Sequence, residues 1–140
     1  MKIQLLHQNA QLPTRGTVEA AGFDIYMPEA GEIPDGMSVK VSLGFATAIP
    51  EGYVAILNPR SGVGFKTGLE LLNTNGWIDS DYRGEWFAKL RMKDGKHFSW
   101  KKGERLLQFI VVPYYAGILE VVESLPESGR STGGLGSTGQ

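Results

Sequence analysis

Glycine and proline interrupt this chain too often for long helices to form. Nineteen glycines and seven prolines are spread through 140 residues, and each tends to end a regular element or set a turn. Between them, apolar residues alternate with polar ones or gather in short runs. Residues 2–6, 20–26, 39–43, 45–49, 53–57, 85–92, 97–100, 106–113 and 119–125 read as short strands on that pattern. The expectation is an all-β fold with little helix. Only residues 63–72 leave a choice, between a helical turn or two and an extended link.

A chain of 140 residues makes one domain and can bury a core without staples. It contains no cysteine, which excludes disulfides and thiolate metal sites. With His7 and His97 as its two histidines, a zinc site would need carboxylates. No apolar run approaches membrane-spanning length and no signal peptide opens the chain, so a soluble, cytoplasmic protein with no membrane partner is expected. A net charge of −1 gives no global attraction to nucleic acid, and no direct nucleic-acid partner is expected. An anionic ligand would need local arginines, backbone amides or a metal.

The richest stretch is residues 73–84, N-T-N-G-W-I-D-S-D-Y-R-G. Asn75-Gly76 between apolar residues is a hairpin signal, because both residue types accept positive φ. Asn73, Trp77, Ile78, Asp79, Asp81 and Tyr82 would then sit on a tight turn and its exit strand; a solvated surface hairpin is the plainer alternative. Upstream, Asp24 lies between Phe23 and Ile25. An aspartate facing the interior needs a partner, a metal or water, whereas one on the solvent face needs nothing. Residues 58–62, N-P-R-S-G, break a strand and expose Arg60 and Ser61 on a tight backbone. Arginine offers a planar donor fork to phosphate oxygens, and Ser61 with neighbouring amides could form an anion nest; a surface salt bridge is the alternative. Gln108 interrupts the most apolar strand and needs a polar cleft or an internal partner. Arg105 reads as half of a structural ion pair. Residues 126–140 turn to glycine, serine and threonine, a composition that cannot order itself by burial. No lysine or helix follows those glycines, so this is not a Walker phosphate loop.

Five stretches in this order, A-G-F-D-I, P-R-S-G-V-G, N-G-W-I-D-S-D-Y-R-G, G-E-R-L-L-Q and G-R-S-T-G-G-L-G-S-T-G, span nearly the whole chain. Together they resemble the trimeric deoxyuridine triphosphatase (dUTPase) family. The spacing agrees, with Asp79 lying 18 residues after Ser61 and Gln108 a further 29 on. The resemblance implies a jelly-roll-like domain over residues 1–125 and a flexible arm over 126–140 that closes on a neighbouring site of a homotrimer. It implies hydrolysis of dUTP to dUMP and diphosphate, keeping uracil out of DNA and supplying dUMP for thymidylate synthesis. Asp79 would activate the water that attacks the α-phosphorus. Arg60, Ser61 and Gly62 would hold phosphate oxygens, Gln108 would contact the α-phosphate region, and Arg130, Ser137 and Thr138 would close the γ end. Asn73 and the backbone of Gly76, Trp77 and Ile78 would read the uracil edge, Tyr82 would pack on the deoxyribose, and Leu135 and Gly136 would cover the base. Mg²⁺ would be held mainly by the triphosphate, with Asp24 supporting its water shell.

Three positions depart from the family pattern. Leu135 stands where a phenylalanine usually stacks on the base, Trp77 replaces a smaller aliphatic residue, and Leu107 replaces an alanine. The related dCTP deaminases need a glutamate on the strand after the hairpin, where this chain carries Lys89. Some proteins of this fold act as regulators through protein contacts, so a non-catalytic binding module is the alternative from a different class; intact Asp79 argues against loss of catalysis, and the sequence names no regulatory protein partner.

Overall fold

The computed structural model describes residues 1–129 and 131. Its elements in chain order are β1 (Lys2–Leu5), β2 (Thr14–Arg15), β3 (Phe23–Tyr26), β4 (Gly31–Ile33), β5 (Ser38–Ser42), β6 (Phe45–Ala48), β7 (Tyr53–Pro59), α1 (Ser61–Thr67), β8 (Leu69–Leu71), β9 (Gly76–Ile78), β10 (Phe87–Met92), β11 (Phe98–Trp100) and β12 (Arg105–Pro113). The largest sheet has the order β2-β3-β12-β7-β9, and a second has the order β5-β10-β8. Two-stranded sheets β1-β6 and β11-β4 complete the fold, and all the pairings are antiparallel. The all-β expectation stands, and α1 resolves the choice left over 63–72 as one short helix followed by a short strand.

β12 sits at the centre of the five-stranded sheet because it is the most apolar segment. Its register against β3 shifts between Arg105 and Leu107. Such an irregularity breaks the two-residue alternation of a strand, so Leu106 and Leu107 are both buried. Leu107 is therefore core packing, which accounts for the larger side chain at that position. Phe109 packs against Phe23 at 5.2 Å and edge-on against Trp86 at 5.0 Å. β10 alternates without a break, with Ala88, Leu90 and Met92 inward and Phe87, Lys89 and Arg91 outward, which puts Lys89 in solvent.

Two local expectations are corrected. Residues 119–125 form no strand: β12 ends at Pro113, and Ile118, Leu119, Val121 and Leu125 are almost wholly exposed. The apolar content is there, but a strand needs a neighbouring edge for its amides, and this segment pairs with none of the described residues. Nor is Asn75-Gly76 a hairpin turn. The positive φ falls on Thr74, at 68°, and the turn is held by Thr74 N–H to Leu71 O and by the Asn73 side-chain amide to Asn75 O, both at 3.0 Å. The flanking strands then separate, β8 joining β10 and β9 joining β7. Gly76 serves close packing instead, since a Cβ there would stand 3.0 Å from the Cβ of Leu57.

Thr47 Oγ1 and Trp86 Nε1 are buried with no hydrogen-bond partner among the described residues. An unpaired buried hydroxyl costs about 1–3 kcal/mol. Thr47→Val keeps the shape and removes the orphan, so it is expected to raise unfolding stability by about 1 kcal/mol in urea titrations. A loss of that size would show instead that the hydroxyl finds a partner outside its own chain.

Candidate functional site

Two polar clusters lie toward opposite ends of β7. The first is built on Asp24, which is 5% exposed. Alternation along β3 turns its side chain away from the face that Phe23 and Ile25 share, into the row it shares with Gln108 of β12 and Asn58 of β7. Asp24 Oδ1 accepts from Arg60 Nε at 2.8 Å, and Oδ2 accepts from Arg105 Nη1 at 3.1 Å. Arg60 Nη1 also donates to the Arg105 carbonyl at 3.2 Å. One buried carboxylate thus fixes two guanidinium groups, and the trio keeps a net positive charge. The interior reading of Asp24 holds, and both arginines are ion-paired, yet Arg60 retains free N–H groups, because a guanidinium carries five donors.

A cavity of about 530 Å³ opens beside this trio. Asp24, Arg60, Ser61, Gly62, Lys66 and Gln108 all line it. Arg60 is the residue before α1, and its carbonyl takes the amides of Val63 and Gly64. The amides of Ser61 and Gly62, which open the helix, have no carbonyl four residues back to bond. Gly22 faces Gln108 across the cavity wall: a Cβ there would come within 2.9 Å of Gln108 Oε1, so glycine leaves that amide its place. Chemically, this pocket suits a small polyanion.

The second cluster follows β9. Asp79 comes straight after Ile78, whose register partner is Ala55 near the start of β7. The loop beyond is tied down by its own backbone: Tyr82 N–H bonds to Asp79 O at 3.2 Å, the Tyr82 hydroxyl donates to Glu85 O at 2.9 Å, and Arg83 Nη1 donates to Ser80 O at 2.6 Å. Gly84 is required because the Tyr82 ring lies where a Cβ would stand. The Asp79 side chain is exposed and lines a separate cavity of about 610 Å³ with Glu51, Asp81, Arg83 and Tyr114. Trp77, two residues before Asp79, is 61% exposed.

Arg60 lies five residues beyond Ala55 along β7, about 17 Å of strand at ~3.4 Å per residue. Of the sequence-derived site residues, Asp24, Arg60, Ser61, Gly62 and Gln108 come together. Gly76, Trp77 and Ile78 are β9 itself and lead into Asp79 and Tyr82 at the far end of β7, while Asn73 stands before β9, toward the Arg60 end, with its amide on Asn75 O. Arg130, Leu135, Gly136, Ser137 and Thr138 lie outside the described residues. Sequence reasoning missed Lys66, which falls one helical turn after Gly62 only once residues 61–67 are helical. It also missed Glu51 and Tyr114, which converge through the 3.0 Å bond from Tyr114 N–H to Gly52 O and carry no local signature.

Among the described residues no group of three or more histidine or acidic side chains is placed to hold a metal ion. Asp24 still has acceptor capacity, since a carboxylate offers about four lone-pair sites and the arginines take two. The donor set fits a hard cation carried by its own phosphate ligand and touching the protein through water; it does not fit a cation caged by side chains. No described helix is long and apolar enough to cross a membrane.

The dUTPase family model matches residues 8–139. The deoxyuridine 5'-triphosphate nucleotidohydrolase of Wolinella succinogenes is 44% identical, with 100% of this chain and 95% of that one covered. That of Dictyoglomus turgidum is 42% identical over 98% and 96%. Among solved structures, a mutant dUTPase of Staphylococcus bacteriophage 80alpha with dUpNHpp superimposes with a TM-score of 0.86 at 29% identity, covering 99% of this chain and 98% of that one. A mutant dUTPase of phage phi11 of S. aureus, whose structure reveals the coordination of a structural Mg(II) ion, has a TM-score of 0.79 at 27% identity, covering 88% and 96%. The fold is that of a small, mostly antiparallel β-protein of the kind these dUTPases share. This chain belongs to the dUTPase family.

Proposed function

We propose that the protein hydrolyses dUTP to dUMP and diphosphate, in sites shared between copies of a homotrimer. The observation that carries this reading is the separation along β7. One chain holds a carboxylate and an anion cavity too far apart to meet across a water and a phosphorus, so a complete site needs Asp79 of one copy beside the cavity of another. The exposure of Ile118, Leu119, Val121 and Leu125 supports assembly, because large apolar side chains left in water commonly mark an interaction surface.

In the shared site Asp79 accepts a proton from a water. The water oxygen attacks the α-phosphorus, and the bond to the oxygen bridging the α- and β-phosphates breaks, so diphosphate leaves. Such transfer is mostly positioning and charge stabilisation. Arg60, Ser61 and the Gly62 amide hold phosphate oxygens, and Gln108 orients the α-phosphate. Asp24 would support the water shell of a Mg²⁺ held mainly by the triphosphate, and that ion would supply charge neutralisation on the phosphates. Asn73 and the backbone of Gly76, Trp77 and Ile78 read the uracil edge, and the tight turn leaves no room for a 5-methyl group. Tyr82 packs on the deoxyribose and disfavours a 2'-hydroxyl. The product is dUMP for thymidylate synthesis, and removal of dUTP keeps uracil out of DNA. Residues 126–140 close over the bound nucleotide, with Arg130, Ser137 and Thr138 on the γ-phosphate and Leu135 and Gly136 over the base.

The test is diphosphate release with dUTP, dCTP and dTTP in parallel. Release is expected from dUTP alone; ammonia from dCTP would establish a deaminase instead, against the outward-facing Lys89. Deleting residues 129–140 is expected to lower turnover by about a hundredfold, as loss of a positioning lid does, while the melting temperature of the empty protein stays within about 2 °C. A comparable loss of stability would make the arm structural rather than a lid.

A further inference from the structure

We infer that Lys66 is a ligand for the outer phosphates of the bound nucleotide, an assignment that rests on dUTP occupying the Arg60 cavity. Gly62 and Lys66 lie four residues apart on α1 and share one face, with Lys66 about 6 Å further along the axis. A phosphate oxygen bonded at the Gly62 amide therefore places the next phosphates of the chain within reach of the Lys66 ammonium. Lys66 lines the same cavity as Arg60, Ser61 and Gln108.

The charges there are unequally committed. Arg60 and Arg105 share the Asp24 carboxylate, the one acidic side chain that lines the cavity. Lys66 makes no ion pair or side-chain hydrogen bond with any described residue. A lysine in a last helical turn commonly serves the terminal carbonyls, but two of these are already served. Val63 O takes the Thr67 hydroxyl at 2.8 Å and Gly64 O takes the Gly68 amide at 2.9 Å. Gly68, in the left-handed conformation at φ 76°, closes the helix without help from Lys66. The ammonium is thus uncommitted among the described residues of a cavity that Lys66 lines, a point charge on a flexible stem suited to oxygens whose positions change as diphosphate departs.

The experiment compares dissociation constants for dUpNHpp and for dUMP, with Mg²⁺, in the assembled wild type, Lys66→Ala and Lys66→Arg. Lys66→Ala is expected to weaken dUpNHpp by about tenfold, as loss of a charge-assisted contact does, and to leave dUMP within about twofold, since dUMP lacks the outer phosphates. Lys66→Arg should recover most of the affinity. Unchanged dUpNHpp binding in Lys66→Ala overturns the assignment. So does an equal loss for both nucleotides accompanied by a lower melting temperature in the empty protein, which would make Lys66 a helix-stabilising residue. If the wild type binds dUpNHpp but releases no diphosphate from dUTP, the hydrolase reading fails and the affinity comparison still decides the role of Lys66. A wild type that binds no dUpNHpp overturns both.

Discussion

Asp79→Asn is expected to lower dUTP turnover by about a thousandfold, within the range for loss of a positioned general base, while the dissociation constant for dUpNHpp changes little. The amide keeps the size and one acceptor oxygen but cannot take a proton at neutral pH. The geometry makes this a clean substitution. The Asp79 side chain makes no hydrogen bond with a described residue, and its loop is held by the backbone and by Tyr82 and Arg83. The loop should therefore keep its shape when the carboxylate is changed. Single-turnover kinetics with the variant, beside nucleotide titrations, separate the two effects. Turnover within a few-fold of the wild type would sink the water-activating role.

The second large effect is at Asp24, where stability and ligand binding should move together. Asp24→Ala leaves Arg60 and Arg105 facing each other without a counter-charge. Removing one partner of a buried ion pair costs about 3–5 kcal/mol. The side chains of Arg60 and Arg105 are 33% and 41% exposed, so solvent recovers part of that, and a loss of about 2–3 kcal/mol in urea unfolding is expected. The direction of the binding change is more informative. Counting charge alone, deleting a carboxylate from an anion cavity should tighten dUpNHpp. If Asp24 acts by fixing the Arg60 guanidinium beside Ser61, affinity should fall instead, since an unanchored arginine regains the conformational entropy that its ion pair had removed. Tighter binding in Asp24→Ala would refute the positioning role.

The sequence revealed elements whose signal is local and hid those whose partners are distant. β12 was readable because its apolar run exceeds any other in the chain. β10 was readable from its unbroken alternation. Asp24 could be flagged as a residue in need of a partner, since Phe23 and Ile25 fix its face, but nothing local said that Arg60 and Arg105, from separate elements, would both serve it. The turn at residues 72–75 shows the opposite failure. Asn75-Gly76 carries a strong two-residue hairpin signal, yet the strands on either side pair in different sheets, and tertiary pairing moved the positive φ to Thr74. Residues 119–125 have strand composition without a strand, because composition cannot supply the edge that pairing needs. Lys66 went unnoticed for a related reason: until residues 61–67 are known to be helical, nothing places it on the face of Gly62.

The length of strand between Ala55 and Arg60 has a consequence for when the protein can work at all. Under the shared-site arrangement a newly made chain, though fully folded, is catalytically blank until it meets its siblings. Output would then rise more steeply than in proportion to expression at low abundance, and dilution would silence the enzyme rather than merely thin it.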